Sequence, residues 1–439
     1  MVGLDPAMTV EAGERGGHHG RIFHLATDRM PAWRLTLLLC LAETLNMAGY
    51  AGVSSLLPEL RAAWQLGNAE IGIVEGAFSL GYVTAVTVLV TWTDRRDPRA
   101  IYLFSTLIGI AALCGLAFLA RELWSAAFCR FLAGVSLAGT YMPGLKMLTD
   151  RVEGPKQSRW LSFYTASFSL GAALSTALCG AVGHAFGAGS AFALAAACAI
   201  IGGAMVLFGV DARAPAPLPG SANPLPALFR ALGNRRALAY SLAYAAHMWE
   251  LHAFRAWLVA YLTFATTGAL VPSGNTALAL WGSVLLTLGM PSSVIGNEIA
   301  LKIGRRRQLY LVMGLSAVLA LVFGAASSLP FAVLLMLGAV YSIFVTADSA
   351  SLTAGAVERA LPGQRGATMA MHSLLGFGAA SIGPLAFGTA LDFGGDAAAG
   401  SWFAGFAILG LGVACGPVAL MTILRKDDAD DRAKPDPQA

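Results

Sequence analysis

The chain has 439 residues, of which 56% are hydrophobic and only 12% charged, with a formal net charge of +4. Soluble domains carry about 25% charged residues, so this composition excludes a chain of ordinary soluble domains. It predicts an all-α integral membrane protein that meets the lipid bilayer along most of its length.

Residues 1–34 read as a polar cytoplasmic tail. His18, His19 and His24 lie in it and are taken as part of a disordered segment and not as a metal site. No cleavable signal peptide is expected, because the polar lead-in is too long for one. Apolar runs of about 20 residues, enough to cross roughly 30 Å of hydrocarbon, then recur. They lie at 35–57, 71–93, 100–120, 122–147, 159–183, 190–210, 237–265, 276–300, 308–328, 330–356, 366–391 and 401–424. These predict twelve transmembrane helices. No strand-like alternation recurs, which argues against a β-barrel. The cysteines all fall inside these runs without a CxxC pair and read as small packed side chains.

Basic residues set the orientation. Arg95, Arg96 and Arg99 follow the second run; Arg151, Lys156 and Arg159 follow the fourth; Lys302 and Arg305 to Arg307 follow the eighth. Both tails and the central loop are basic too. The opposite side has only Arg61 and Arg121. Both termini are therefore expected in the cytoplasm, in a multi-pass inner-membrane protein. Trp33, Trp64, Trp92, Trp124, Trp160 and Trp402 stand at run ends, as an interfacial belt would place them.

The segment 211–236, "DARAPAPLPGSANPLPALFRALGNRR", is too rich in proline and glycine to be one continuous helix. It divides a six-helix bundle at 35–210 from another at 237–424. Residues 425–439 read as a disordered cytoplasmic tail. The halves look related. "TDRVEGPKQSR" after the fourth run and "VERALPGQRG" after the tenth share an acid–Arg pair, then Pro, Gly, Gln and Arg. Two pseudo-symmetric halves are a transporter architecture.

Ionisable residues inside apolar runs are the candidate site, because charge at membrane depth is expected to face the bundle interior. At about 1.5 Å per residue, Glu43 lies roughly 14 Å into its run, with Asn46 one turn later on the same face. Arg130 lies about 12 Å into the fourth run, and Asp348 about 15 Å from Glu358. The stretch "YAAHMWELHAFRAW" carries His247 and Glu250 near mid-membrane, roughly 60° apart around the helix, and Arg255 beyond them. His252 is rotated further away. For each of these the plainer reading is an ion pair or hydrogen bond between helices. Glu75 reads as a rim residue, Lys146 as a snorkelling partner of Asp150, and His372 as a minor candidate.

Three motifs make the chain resemble the major facilitator superfamily over roughly 34–424. In "TWTDRRDPRAIY", Asp94, Arg95 and Arg99 match the family's acid–base turn between the second and third helices. Val90, Asp97 and Pro98 depart from it at both glycines and one arginine. The second copy, "GNEIALKIGRRR", supplies Gly304 and Arg305, with its acid displaced to Glu298. "RFLAGVSLAG" resembles the family's Arg-x-x-x-Gly motif through Arg130, Gly134 and Gly139. "GPLAFGTALD" resembles a Gly-Pro pattern of the family, whereas the fifth run has no proline, which departs from the antiporter version. The resemblance implies a fold of two six-helix bundles and a secondary transporter working by alternating access. Asp94, Arg95, Arg99, Glu298, Gly304 and Arg305 would form its conformational gate. Glu43, Asn46, Arg130, His247, Glu250, Arg255 and Asp348 would line the path of substrate or proton.

No GxxxxGK[ST] segment occurs, so no ATP is expected as driver and no cofactor is called for; an ion gradient, with protons first, would supply the energy. HExxH and GxSxG are absent, which speaks against an enzyme. The expected cargo is a small organic solute, an anion or metabolite; efflux of a drug or toxic compound by proton antiport is the alternative. A metal-ion transporter and a non-transporting membrane sensor are more distant readings. No nucleic-acid partner is expected, and a monomer is.

Overall fold

A computed structural model describes residues 30–93, 95–152, 157–213, 224–266, 274–362, 364–395 and 397–433. Among these residues the chain is helical throughout its ordered elements, and a helical segment stands at each of the twelve expected positions. We label them α1 Ala32–Asn46, α2 Asn68–Trp92, α3 Pro98–Cys114, α4 Leu123–Thr149, α5 Gln157–Phe186, α6 Ala188–Gly209, α7 Arg235–Thr266, α8 (in two pieces, Gly274–Thr287 and Gly289–Ile303), α9 Arg305–Gly324, α10 (Phe331–Thr346 and Ser349–Glu358), α11 Arg365–Gly394 and α12 Ala399–Ala433. Ten of the twelve positions hold helices long and apolar enough to cross a membrane.

The other two are α1 and α7. The first run does not continue as one rod. It passes through a 3-10 turn, Met47–Gly49, and two short helices, Gly52–Ser55 and Leu57–Ala63. Side-chain groups take over the freed backbone, which is what makes such a break tolerable in hydrocarbon. Ser175 Oγ donates to Ala48 O at 2.7 Å and accepts from Ala51 N at 3.0 Å. Arg130 Nη1 donates to Tyr50 O at 3.0 Å. The helix α7 is unbroken over 32 residues but carries the ionisable stretch.

Within the central loop, Pro224–Leu232 forms a short helix. At the other end, α12 runs to Ala433, so 425–433, expected as disordered tail, continue the helix. No glycine or proline follows the last apolar turn until Pro435, so nothing local stops propagation. Trp33, Trp92 and Trp124 are exposed at helix ends, but Trp64 and Trp402 are buried and pack in the core.

The core forks. Toward the end of the bundle away from the termini, here the distal end, one apolar cluster joins both halves, from Leu57 and Ile71 to Trp257, Phe387 and Trp402. Toward the terminal end each half has its own cluster. One holds Leu39, Tyr102, Met147 and Val206; the other holds Tyr240, Met313, Leu352 and Leu420. Close approach of α2 and α11 makes the distal join. A Cβ on Gly76 would collide with the Ser381 carbonyl, and one on Gly388 with the carbonyl of Asn68. Small residues at such crossings let membrane helices pack by contact where the hydrophobic effect offers nothing. Described hydrogen bonds that bridge the halves lie on this side too. Ser283 Oγ donates to Ala173 O at 2.7 Å. Asp392 accepts from Asn68 N, Asn68 Nδ2 and Ala69 N at 2.9, 2.9 and 2.7 Å.

Candidate functional site

A small cavity of about 30 Å³ lies between the halves. Its wall draws on both bundles: Tyr50 and Ser54 beyond α1, Glu75 and Phe78 of α2, Arg130 of α4, His252 and Arg255 of α7, and Ala380 and Pro384 of α11. Arg255 lies about 16 Å from the distal end of its helix.

On the N-terminal side the charges are already matched. Arg130 Nη2 meets Glu75 Oε2 at 2.9 Å, with both side chains under a tenth exposed. Ser54 Oγ donates to Glu75 Oε1 at 2.8 Å, and the guanidinium stands 4.7 Å over the Phe78 ring. Glu75 is therefore a buried ion partner and not the rim residue its shallow position suggested. Arg130 is an anchor that ties α4 to α2 and to the broken first span. Gly134, one turn on, allows this, because a Cβ there would strike the Phe78 carbonyl.

On the C-terminal side the charge is unmatched. Arg255 is half-buried in the cavity wall, and no hydrogen bond or ion pair occupies it among the described residues. His252, three residues earlier, shares the wall, and its buried Nδ1 has no hydrogen-bond partner. The sequence places His252 rotated away from the face that His247 and Glu250 share. The signal that would have found it is its i,i+3 spacing to Arg255, which puts the two on one face.

His247 and Glu250 share a face as their spacing implied, but it turns into the C-terminal bundle and does not line this cavity. Ser316 Oγ stands 2.9 and 3.0 Å from the two Glu250 oxygens, and Tyr341 Oη donates to Oε1 at 3.0 Å. His247 Nδ1 lies 2.8 Å from Asp348 Oδ1, an ion contact without hydrogen-bond alignment. Asp348 sits at the break in α10, between Thr346 and Ser349. His372 stacks on Tyr244 at 3.9 Å between Ser241 and Thr353.

Glu43 and Asn46 lie within the N-terminal bundle. Asn46 Nδ2 donates to Tyr102 Oη at 3.0 Å. Glu43 is completely buried and neither carboxylate oxygen has a hydrogen-bond partner. Tyr164 lies beside it, but its hydroxyl proton goes to Tyr141 O at 3.0 Å.

Of the expected gate, Asp94 lies outside the described residues. Asp97 and Pro98, the departures from the family turn, start a helix instead. Asp97 N-caps α3 by accepting from Arg99 N at 2.9 Å, and Pro98 takes the first helical position, where no N–H is needed. Arg95 is exposed, and Arg99 Nη2 donates to Leu207 O at 2.5 Å. In the second copy Gly304 has φ +91, a conformation that favours glycine. Arg305 reaches Asn297 Oδ1 and Ser351 O at 3.1 Å each and Glu358 Oε1 at 2.6 Å. Glu298 is exposed, so Asn297 stands where the displaced acid was expected to act.

The sequence model of the Major Facilitator Superfamily matches residues 39–384. No curated protein matches the sequence. Among solved structures, a bacterial homolog of the human lysosomal transporter Spinster, crystallised inward-facing and unoccupied, superposes with a TM-score of 0.70 at 15% identity, covering 92% of this chain and 99% of that one. The nucleoside transporter NupG gives a TM-score of 0.72 at 15% identity, covering 89% and 99%. A POT family transporter in complex with 5-aminolevulinic acid gives 0.70 at 13% identity, covering 90% and 96%. At such identities the likeness is one of fold.

Proposed function

This chain belongs to the major facilitator superfamily, and on that premise we propose that it carries a small organic anion through the cavity between its halves by alternating access, driven by protons. One observation carries the reading. Glu75 and Arg130 neutralise each other, while Arg255 faces the same cavity without a partner, so the empty site has one positive charge to spare. An unpaired cation half-buried at membrane depth is costly, and a carboxylate solute would relieve it. The same balance speaks against a cationic drug as cargo.

The excess of Lys and Arg on the terminal side supports a cytoplasmic location for both termini in the inner membrane. The forked core then corresponds to a chain closed toward the outside and facing inward. Two buried carboxylates, Glu43 and Glu250, stand off the cavity wall, each within its own bundle.

The test is counterflow in proteoliposomes with labelled benzoate and a labelled organic cation. Exchange of benzoate, reduced at least tenfold by Arg255→Gln, supports the reading. Exchange of the cation alone, or benzoate exchange indifferent to Arg255→Gln, replaces it with the efflux alternative.

A further inference from the structure

We propose that His252 takes up a proton when an anion binds at Arg255, so that solute and proton share one site in the cavity. This rests on the anion reading above and adds the group that couples it.

His252 and Arg255 line the same cavity from one face of α7. The Nδ1 atom of His252 is buried without a hydrogen-bond partner. The carbonyl of Met248, one turn back, lies beside the ring, and Phe377 meets it edge-on at 5.7 Å. An N–H gained at this nitrogen has two possible acceptors, the Met248 carbonyl and a carboxylate held by Arg255.

The charged and titratable groups facing His252 are few. Its own helix supplies Arg255 and His247. From the N-terminal half come Glu75, Arg130 and Tyr50, of which Glu75 and Arg130 form a closed pair. The walls from α8 and α11 supply Leu286, Ala380 and Pro384. In the empty cavity an imidazolium would therefore be a second cation beside Arg255, with little water between them, where like charges repel strongly. A bound carboxylate turns that repulsion into attraction toward both groups. The anion and the proton favour each other, and the coupling is reciprocal. The balance closes as well. One negative charge and one proton enter together, so the loaded and empty cavities carry the same net charge. Neither Glu43 nor Glu250 lines the cavity, so neither can answer the solute by contact.

Isothermal titration calorimetry of the full-length chain with benzoate tests this. Run at one pH in two buffers of different ionisation enthalpy, it counts the protons taken up per anion bound. The expected result is uptake approaching one proton at neutral pH, with affinity falling up to tenfold per pH unit above it. In His252→Asn and His252→Gln, binding persists but uptake falls to zero and the pH dependence flattens. Glu43→Gln and Glu250→Gln keep the wild-type count. Binding by wild type without proton uptake overturns the inference directly, whether or not any variant folds. So does uptake that survives both His252 variants, or that Glu43→Gln or Glu250→Gln abolishes. No benzoate heat at any pH, or equal binding by Arg255→Gln, removes the anion reading first and this inference with it.

Discussion

Asp392 of α11 caps the first turn of α2 in the other half, accepting from the backbone of Asn68 and Ala69 and from the Asn68 side chain. A carboxylate at a helix N-terminus satisfies orphan N–H groups and meets the positive end of the helix dipole. This contact holds the two halves together at the distal end. The alternating access proposed above would require it to break.

Replacing Asp392 with Ala should therefore shift the chain toward the distal-open state. The carboxylate is exposed to solvent, so its contribution is screened and comparable to an ordinary cap, about 1 kcal/mol. That corresponds to a roughly fivefold change in the ratio of states. Paired spin labels on the distal turns of the two halves would read it as a growing long-distance population. An unchanged distance distribution would show that the cap holds nothing.

Gly76→Val acts on the same join by bulk. The added side chain meets the Ser381 carbonyl, and a backbone atom cannot yield as a flexible side chain can. Distal closure should be lost more completely than with Asp392→Ala, and the same spin-label distances should lengthen further.

Breaking the ion pair in the cavity wall should be costly. Glu75→Ala leaves the Arg130 guanidinium buried without its partner, and stranding one charge of a buried pair costs about 3–5 kcal/mol. Unfolding in detergent should show a large loss for the single variant and a clearly smaller one for Glu75→Leu combined with Arg130→Met. Equal losses would mean that the pair contributes only through packing.

The two buried glutamates should behave oppositely on removal. Glu250→Leu strands the hydroxyls of Ser316 and Tyr341, at about 1–3 kcal/mol for each group left unsatisfied. Glu43→Leu strands nothing, because neither carboxylate oxygen has a partner, so stability should hold or rise. Thermal unfolding of the two variants side by side checks the order; Glu43→Leu as the less stable of the two would refute the assignment.

The sequence made the spans legible because twenty apolar residues in a row have few other uses. It made α7 legible as a site-bearing helix because charge inside such a run needs a reason. What it could not supply was direction. The 60° between His247 and Glu250 was correct as helix geometry, yet which neighbour that face meets depends on how α9 and α10 pack, and no local period encodes that. Ser316 and Tyr341 are far along the chain from Glu250. For the same reason Glu75 looked like a rim residue: its partner Arg130 comes from another helix, and the pair is visible only once α2 and α4 lie side by side. The turn after α2 is the converse. Asp97 and Pro98 break the family pattern, but as a cap and a first helical residue they follow local rules that can be read directly.

The forked core has a cost for anyone who wants a hardier protein. The cluster spans both halves at the distal side, so the alternating access proposed above would have to dismantle it in each cycle. Substitutions that fill or tighten that cluster will raise the melting temperature of the purified chain and lengthen its dwell in one state. A screen for heat resistance at Leu57, Trp257 or Phe387 is then, without intending it, a screen for slow turnover.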